Sequence, residues 1–390
     1  MTFYQKIKNR LIKNKINKPV SVLHKPENNK WALVSLMLHN LQSNNHTHTI
    51  YAETKAFCFA LFELGFNVDL VNFFDNNAAI DFQKYNAVVG MRKHIDDAII
   101  YKHQSTNNKL KIITYVNGPH PYFQNEVAIN KLINFYNLKN KLLPKSISFI
   151  EENYALQYSF ANAIILHGNE FVKSTFLPYA QCAIETVKAI AFQSPYKIDI
   201  SFKEENRKNF LWFGSTKCLH RGLDIVLDYF IKRNDLQLTI CSAALQNEPE
   251  FYSLYKKQLE NCSNITIKNF IAIGSEDFKQ ICEANTFLVY MSITEGNCAS
   301  VVTCMKNGGL IPLITNNVGV DIDNCGFNIN EFTEQALNDA INKALITSNE
   351  ELNKMKIESK SYGMYGTSEE DFKTSITTYF KKHLFEDIAH

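Results

Sequence analysis

Two stretches of this chain carry residue types whose spacing could do chemistry. The first, GSTKCLHRG (214–222), sets Lys217, His220 and Arg221 just ahead of Leu223, Val226, Leu227, Phe230 and Ile231, which share one helical face. A helix starting there turns free N–H groups and a positive dipole end toward those cations, which makes an anion seat. The second, YMSITEGNCAS (290–300), ends an apolar run with Glu295 and Gly296 before a helix expected to start near Asn297. Gly296 lets the backbone approach a ligand closely. The N–H groups of Asn297, Cys298, Ala299 and Ser300 would face a diphosphate, and Glu295 could accept hydrogen bonds from sugar hydroxyls. The alternatives are plain: loop cations are often only solvated, and an acid at a helix start can merely complement the dipole.

The surrounding pattern says what positions these loops. Apolar runs at 31–38, 68–73, 87–89, 110–116 and 163–166 alternate with helical stripes such as Ala52, Ala56, Phe57, Ala60, Leu61 and Leu64, closed by Gly65. A polar stretch at 193–208 reads as a linker. A second series follows, with strands expected at 210–214, 236–241, 265–270, 287–291 and 310–314, and a mostly helical tail from Glu331. This is an α/β chain with two doubly wound sheets, and ligands of such sheets sit beyond the carboxyl ends of the strands. The expected division is a basic leader at 1–26, a first domain at 27–200, a second at 201–370, and a C-terminal helix at 371–390 that crosses back to the first.

Several classes are excluded or disfavoured. A chain of 390 residues with 41 basic and 39 acidic side chains has no general reason to bind nucleic acid. No run is long and apolar enough to span a bilayer. None of the 14 glycines lies two residues from another, so the dinucleotide fingerprint is missing, as is the phosphate loop of nucleotide triphosphatases. The nine cysteines include no C-x-x-C pair and read as free or buried thiols of a reducing compartment. No His/Cys ligand cluster suggests a metal. The leader holds Lys6, Lys8, Arg10, Lys13, Lys15, Lys18 and Lys25 without an acid, while Phe3, Ile7 and Leu11 recur at helical spacing. It reads as a helix on an anionic membrane surface or as a solvated terminus.

The segments FLWFGSTKCLHRGLDIVLDYF and FLVYMSITEGNCASVVTCMKNGGLIPLIT together resemble the donor-binding domain of GT-B fold glycosyltransferases, most closely the retaining family 4, or group 1. The likeness covers about residues 209–326 and extends weakly to HTHTIYAETKAFCFALFELGFNVDLVNF and NGPHPYFQNE. It implies two Rossmann-like domains facing across a cleft, the first taking the acceptor and the second the nucleotide sugar. It makes Arg221 the contact to the donor diphosphate, within a seat that includes Gly214, Ser215 and Lys217. Ser215 departs from the family, where an arginine is common; Lys217 would have to replace it. Glu295 matches the glutamate that holds sugar hydroxyls. Thr303 stands where the family has a second glutamate for the ribose diol, exchanging charge-assisted bonds for one neutral bond. The catalytically important histidine of the first domain maps to His120, with His46 and His48 as lesser candidates over the phosphates. Asn169 and Glu170 are candidates for the cleft wall.

The resemblance thus implies a retaining transferase using a UDP- or GDP-sugar, independent of metal and cofactor. Its acceptor would be a glycan or lipid-linked glycan of bacterial surface polysaccharide, lipopolysaccharide or capsule. It would work in the cytoplasm, at the inner face of the membrane if the leader binds there. A non-catalytic nucleotide-sugar-binding relative, a nucleotide-sugar epimerase and a phosphorylase are the alternatives.

Overall fold

A seven-stranded sheet organises the first half of the chain in the computed structural model, which describes residues 18–42, 48–105, 109–152 and 154–385. Its strands are β1 (Val20–Leu23), β2 (Lys30–Leu36), β3 (Phe66–Asn72), β4 (Ala87–Gly90), β5 (Lys111–Val116), β6 (Ala163–His167) and β7 (Ala183–Val187). They lie in the order β1-β3-β2-β4-β5-β6-β7. Every neighbouring pair is parallel except β1, which runs antiparallel along β3. The central strands are apolar throughout because helices cover both faces. β1 corrects the expected boundary at residue 26: VSVL, rich in β-formers after Pro19, is an edge strand of the first domain. The rest of the leader, 1–17, lies outside the described residues.

The second sheet holds β8 (Asn209–Phe213), β9 (Gln237–Cys241), β10 (Ile265–Lys268), β11 (Phe287–Tyr290), β12 (Ile311–Thr315) and β13 (Phe327–Ile329). All pairs are parallel, in the order β10-β9-β8-β11-β12-β13. That order reverses direction between β8 and β11, and the first sheet reverses between β2 and β4. Such switch points open the crevices in which doubly wound sheets bind ligands. Trp212 of β8 stacks on Tyr290 of β11 at 5.6 Å and fills the core under the second switch point.

Two crossings fasten the domains together. The final helix, Glu369–Phe385, buries Phe372, Ile376 and Phe380 against the Thr49–Glu63 helix of the first domain, with Phe57 and Phe380 edge to face at 5.5 Å. The helix Pro121–Lys139, which follows β5, instead lends Ala128 and Phe135 to the core built on the second sheet. The chain just before the linker is pinned by Lys306 Nζ and Asn307 Nδ2, which donate to the Ala191 and Phe192 carbonyls at 2.8 and 2.9 Å. All nine cysteines are free thiols, most of them buried. Among the described residues no helix is long and apolar enough to cross a membrane.

Candidate active site

The two switch points face each other across a cavity of about 390 Å³. The first domain contributes Arg92 after β4, and Asn117, Gly118 and Pro119 after β5. The second contributes His220 and Arg221 after β8, and Glu295 and Gly296 after β11.

Close backbone approach builds the second-domain wall. A β-carbon on Gly214 would fall 2.6 Å from the Trp212 ring, and one on Gly222, which has φ +68°, would fall 2.3 Å from the Met291 carbonyl oxygen. The loop after β8 therefore presses against the end of β11, where Ile293 N–H donates to the His220 carbonyl at 2.9 Å. This contact brings Arg221 Nε to 3.3 Å from Glu295 Oε1. A guanidinium N–H of Arg221 also donates to the Thr216 carbonyl. Burial works against the Arg221 charge, but Tyr290 and Glu295 beside it hold its pKa above the ordinary value. Glu295 is fixed in turn: its N–H donates to the Asn317 carbonyl at 2.8 Å, and Oε1 accepts from Ser292 Oγ at 3.2 Å.

His220 braces the wall as a neutral ring. Its Nδ1 accepts from Ser148 N–H at 3.4 Å, leaving Nε2 to donate to the Thr294 carbonyl at 3.0 Å. Burial lowers its pKa. The same segment of the first domain holds the loop a second time, since Leu219 N–H donates to Ser146 Oγ at 3.0 Å.

Other residues singled out in the sequence fall elsewhere. His120 does not line the cavity. It caps the Pro121–Lys139 helix, accepting from Tyr122 N–H at 3.3 Å, and its ring stacks on Tyr179 at 4.1 Å among Tyr122, Tyr158 and Phe176. The Pro119–His120 turn carries the ring past the cleft into this aromatic nest. Lys217 is also turned away: its Nζ donates to the Lys145 carbonyl at 2.7 Å, so it does not stand in for the arginine replaced by Ser215. Gly214 and Ser215 are not among the cavity residues, and the Ser215 carbonyl accepts from Ser242 Oγ at 3.1 Å.

The helix expected from Asn297 begins at Ala299, with Cys298 as its cap. Asn297 is consumed by structure, accepting from Ala189 N–H at 2.9 Å and donating to the Gly319 carbonyl at 2.6 Å. Cys298 N–H is spent on the Val318 carbonyl at 3.2 Å. Ala299 and Ser300 form the first turn of the helix, and neither is among the cavity residues. Gly296 serves the facing domain: a β-carbon there would lie 2.4 Å from the His167 carbonyl oxygen and 2.7 Å from that of Asn117. Thr303 is buried in the helix and is not among the cavity residues.

His48 caps the Thr49–Glu63 helix through Ile50 N–H at 3.1 Å, and burial and then the Arg221 charge depress its pKa, which places it near the site. His46 lies outside the described residues. Asn169 and Glu170 border a separate cavity of about 610 Å³ with Lys188 and Asp321. The expectation of metal-free chemistry overlooks a D-x-D triplet, Asp321-Ile322-Asp323. Asp321 belongs to that second cavity, where its Oδ1 accepts from Asn169 Nδ2 at 2.7 Å. Sequence reading also missed Arg92 and Glu152; Gly90, two residues before Arg92 at a strand end, was the available signal.

No protein-family model and no curated protein sequence matches the chain. Solved structures match its shape. Sucrose-phosphate synthase from Thermosynechococcus elongatus superposes with a TM-score of 0.61 at 9% identity, over 90% of this chain and 98% of that one. A glycosyltransferase from Rickettsia africae ESF-5 gives 0.58 at 12% identity, over 92% and 100%. Anabaena Alr3699/HepE, solved with UDP and glucose, gives 0.58 at 12% identity, over 90% and 100%. The fold is therefore that of the GT-B glycosyltransferases, two Rossmann-like domains facing across a cleft.

Proposed function

We propose that this GT-B chain is a glycosyltransferase that moves a sugar from a nucleotide-diphosphate sugar to a glycan or lipid-linked acceptor with retention of anomeric configuration. One observation carries the reading: a half-buried guanidinium, Arg221, and a carboxylate, Glu295, stand 3.3 Å apart at the switch point of the second sheet, on the wall of a cavity shared by both domains. Among its structural relatives, HepE is solved with UDP and glucose.

In this reading Arg221 meets the charge that builds on the departing diphosphate. Glu295 orients the sugar by accepting from its hydroxyls. The bond from the anomeric carbon to the phosphate oxygen breaks, and the acceptor oxygen bonds to the same face. The acceptor proton passes to the leaving phosphate. Gly296, wedged against the first domain, helps keep water from the reacting carbon.

The leader's cations favour an acceptor held at an anionic membrane, as in bacterial surface polysaccharide synthesis, with the protein on the cytoplasmic side. Turnover of UDP- and GDP-sugars by wild type, and its loss in Arg221→Ala and Glu295→Ala, tests the reading. Wild-type rates in both variants would contradict it.

A further inference from the structure

The cavity holds a second arginine–carboxylate pair that donor chemistry does not use. Arg92 Nη1 lies 3.5 Å from Glu152 Oε1, both on the first-domain wall opposite Arg221 and Glu295. Arg92 has φ +66° and ψ −153°, a conformation almost reserved for glycine. The strained turn is held from several sides. Gln157 Nε2 donates to the Arg92 carbonyl at 3.0 Å, and Gln157 Oε1 accepts from Thr114 Oγ1 at 2.8 Å. Met91 N–H and Ser35 Oγ bond across to the Ser35 and Met91 carbonyls, each at 3.0 Å. A helix start alone would be served better by glycine. The structure keeps an arginine in a glycine conformation where its side chain reaches the cavity.

The surroundings of the pair indicate what it binds. The Arg92 guanidinium lies over Phe73 and Phe74, 5.2 and 4.7 Å from the ring centres, and Glu152 Oε2 accepts from Tyr154 Oη at 2.6 Å. Arg92 and Glu152 remain 35% and 50% exposed, so both can still bond a ligand. Side by side, a donor fork and a carboxylate match the vicinal hydroxyls of a pyranose, and Phe73 and Tyr158 line the same cavity. The two charges of the pair cancel, so this wall carries no net charge to hold an anion.

We propose that Arg92 and Glu152 seat a neutral sugar unit of the acceptor. The proposal rests on the glycosyltransferase reading and specifies the other half of its cleft.

The test is saturation-transfer NMR on the full chain with saturating UDP or GDP, using methyl glucoside, methyl galactoside and methyl N-acetylglucosaminide, with glucose 6-phosphate as the charged probe. A neutral glycoside should receive saturation from wild type, and Arg92→Gly and Glu152→Gln should each weaken its binding about tenfold or more. Arg92→Gly should not lower the melting temperature, because glycine relieves the turn. Failure of wild type to bind either nucleotide would count against the glycosyltransferase reading, and the seat would fall with it. Three outcomes overturn the seat alone: nucleotide binding with no glycoside signal, full signal in both variants, or preference for the phosphorylated sugar.

Discussion

Lys131 Nζ stands 2.7 Å from Asp224 Oδ2, with both side chains less than a tenth exposed. The pair ties the Pro121–Lys139 helix to the helix Leu223–Phe230, whose start carries Arg221 and Gly222. It is thus an anchor that sets the depth of the diphosphate seat from the opposite domain. Burial pushes the Asp224 carboxyl above its usual range while Lys131 opposes the shift. Removing the cation leaves a buried carboxylate without its partner. Lys131→Met should cost about 3–5 kcal/mol in urea unfolding, and pairing it with Asp224→Leu should recover most of that loss. Equal stability of wild type and Lys131→Met would show that the pair anchors nothing.

Arg221→Ala and Glu295→Ala should each lower turnover by roughly 10²–10³-fold, the range seen when a preorganised group facing developing charge is removed. Arg221→Lys should fall between wild type and alanine, since it keeps the charge but loses the planar fork. Steady-state rates with the preferred nucleotide sugar decide the ranking.

Gly296→Ala should prop the domains apart, because the new methyl would meet the His167 and Asn117 carbonyls at 2.4 and 2.7 Å. Backbone atoms cannot rotate out of the way as a side chain can. The expected result is a larger radius of gyration in small-angle scattering, with reduced transfer and increased donor hydrolysis. Unchanged scattering and unchanged transfer together would refute the wedge.

His120 and His167 are held neutral by burial, each with its pKa lowered to about 4. The unfolded chain takes up these protons near pH 6.5, so it binds more protons than the folded chain between about 4 and 6.5. Stability from both rings is complete above pH 6.5 and declines as the pH falls toward 4. His120→Asn, which can still cap the helix, should flatten the fall in melting temperature across that window. An identical pH profile for wild type and variant would place His120 in a more polar setting than its aromatic nest provides.

The alternation of apolar runs and helical stripes made both sheets legible in the sequence, because period and length are local properties that buried parallel strands display directly. The loops at 214–222 and 290–300 were legible for the same reason: a glycine at a strand end followed by an amphipathic helix is a local signal. Arg221 and Glu295 could therefore be singled out before their 3.3 Å contact was known. The edge strands β1, β7 and β13 were not among those expected, since three to five residues with little burial carry little periodicity.

What the sequence could not determine was where each polar side chain spends its bonding capacity. His120, Lys217, Asn297 and Cys298 lie in the right loops, yet Tyr179, the Lys145 carbonyl, the Gly319 carbonyl and the Val318 carbonyl claim them. Arg92 and Glu152 gave no shared pattern beyond the glycine at the end of β4, being 60 residues apart in the chain and neighbours only on the folded wall of the first domain. Composition and period specify elements, whereas a site is made by contacts between distant segments. Those contacts exist only once backbone approaches such as that of Gly222 to Met291 have been made.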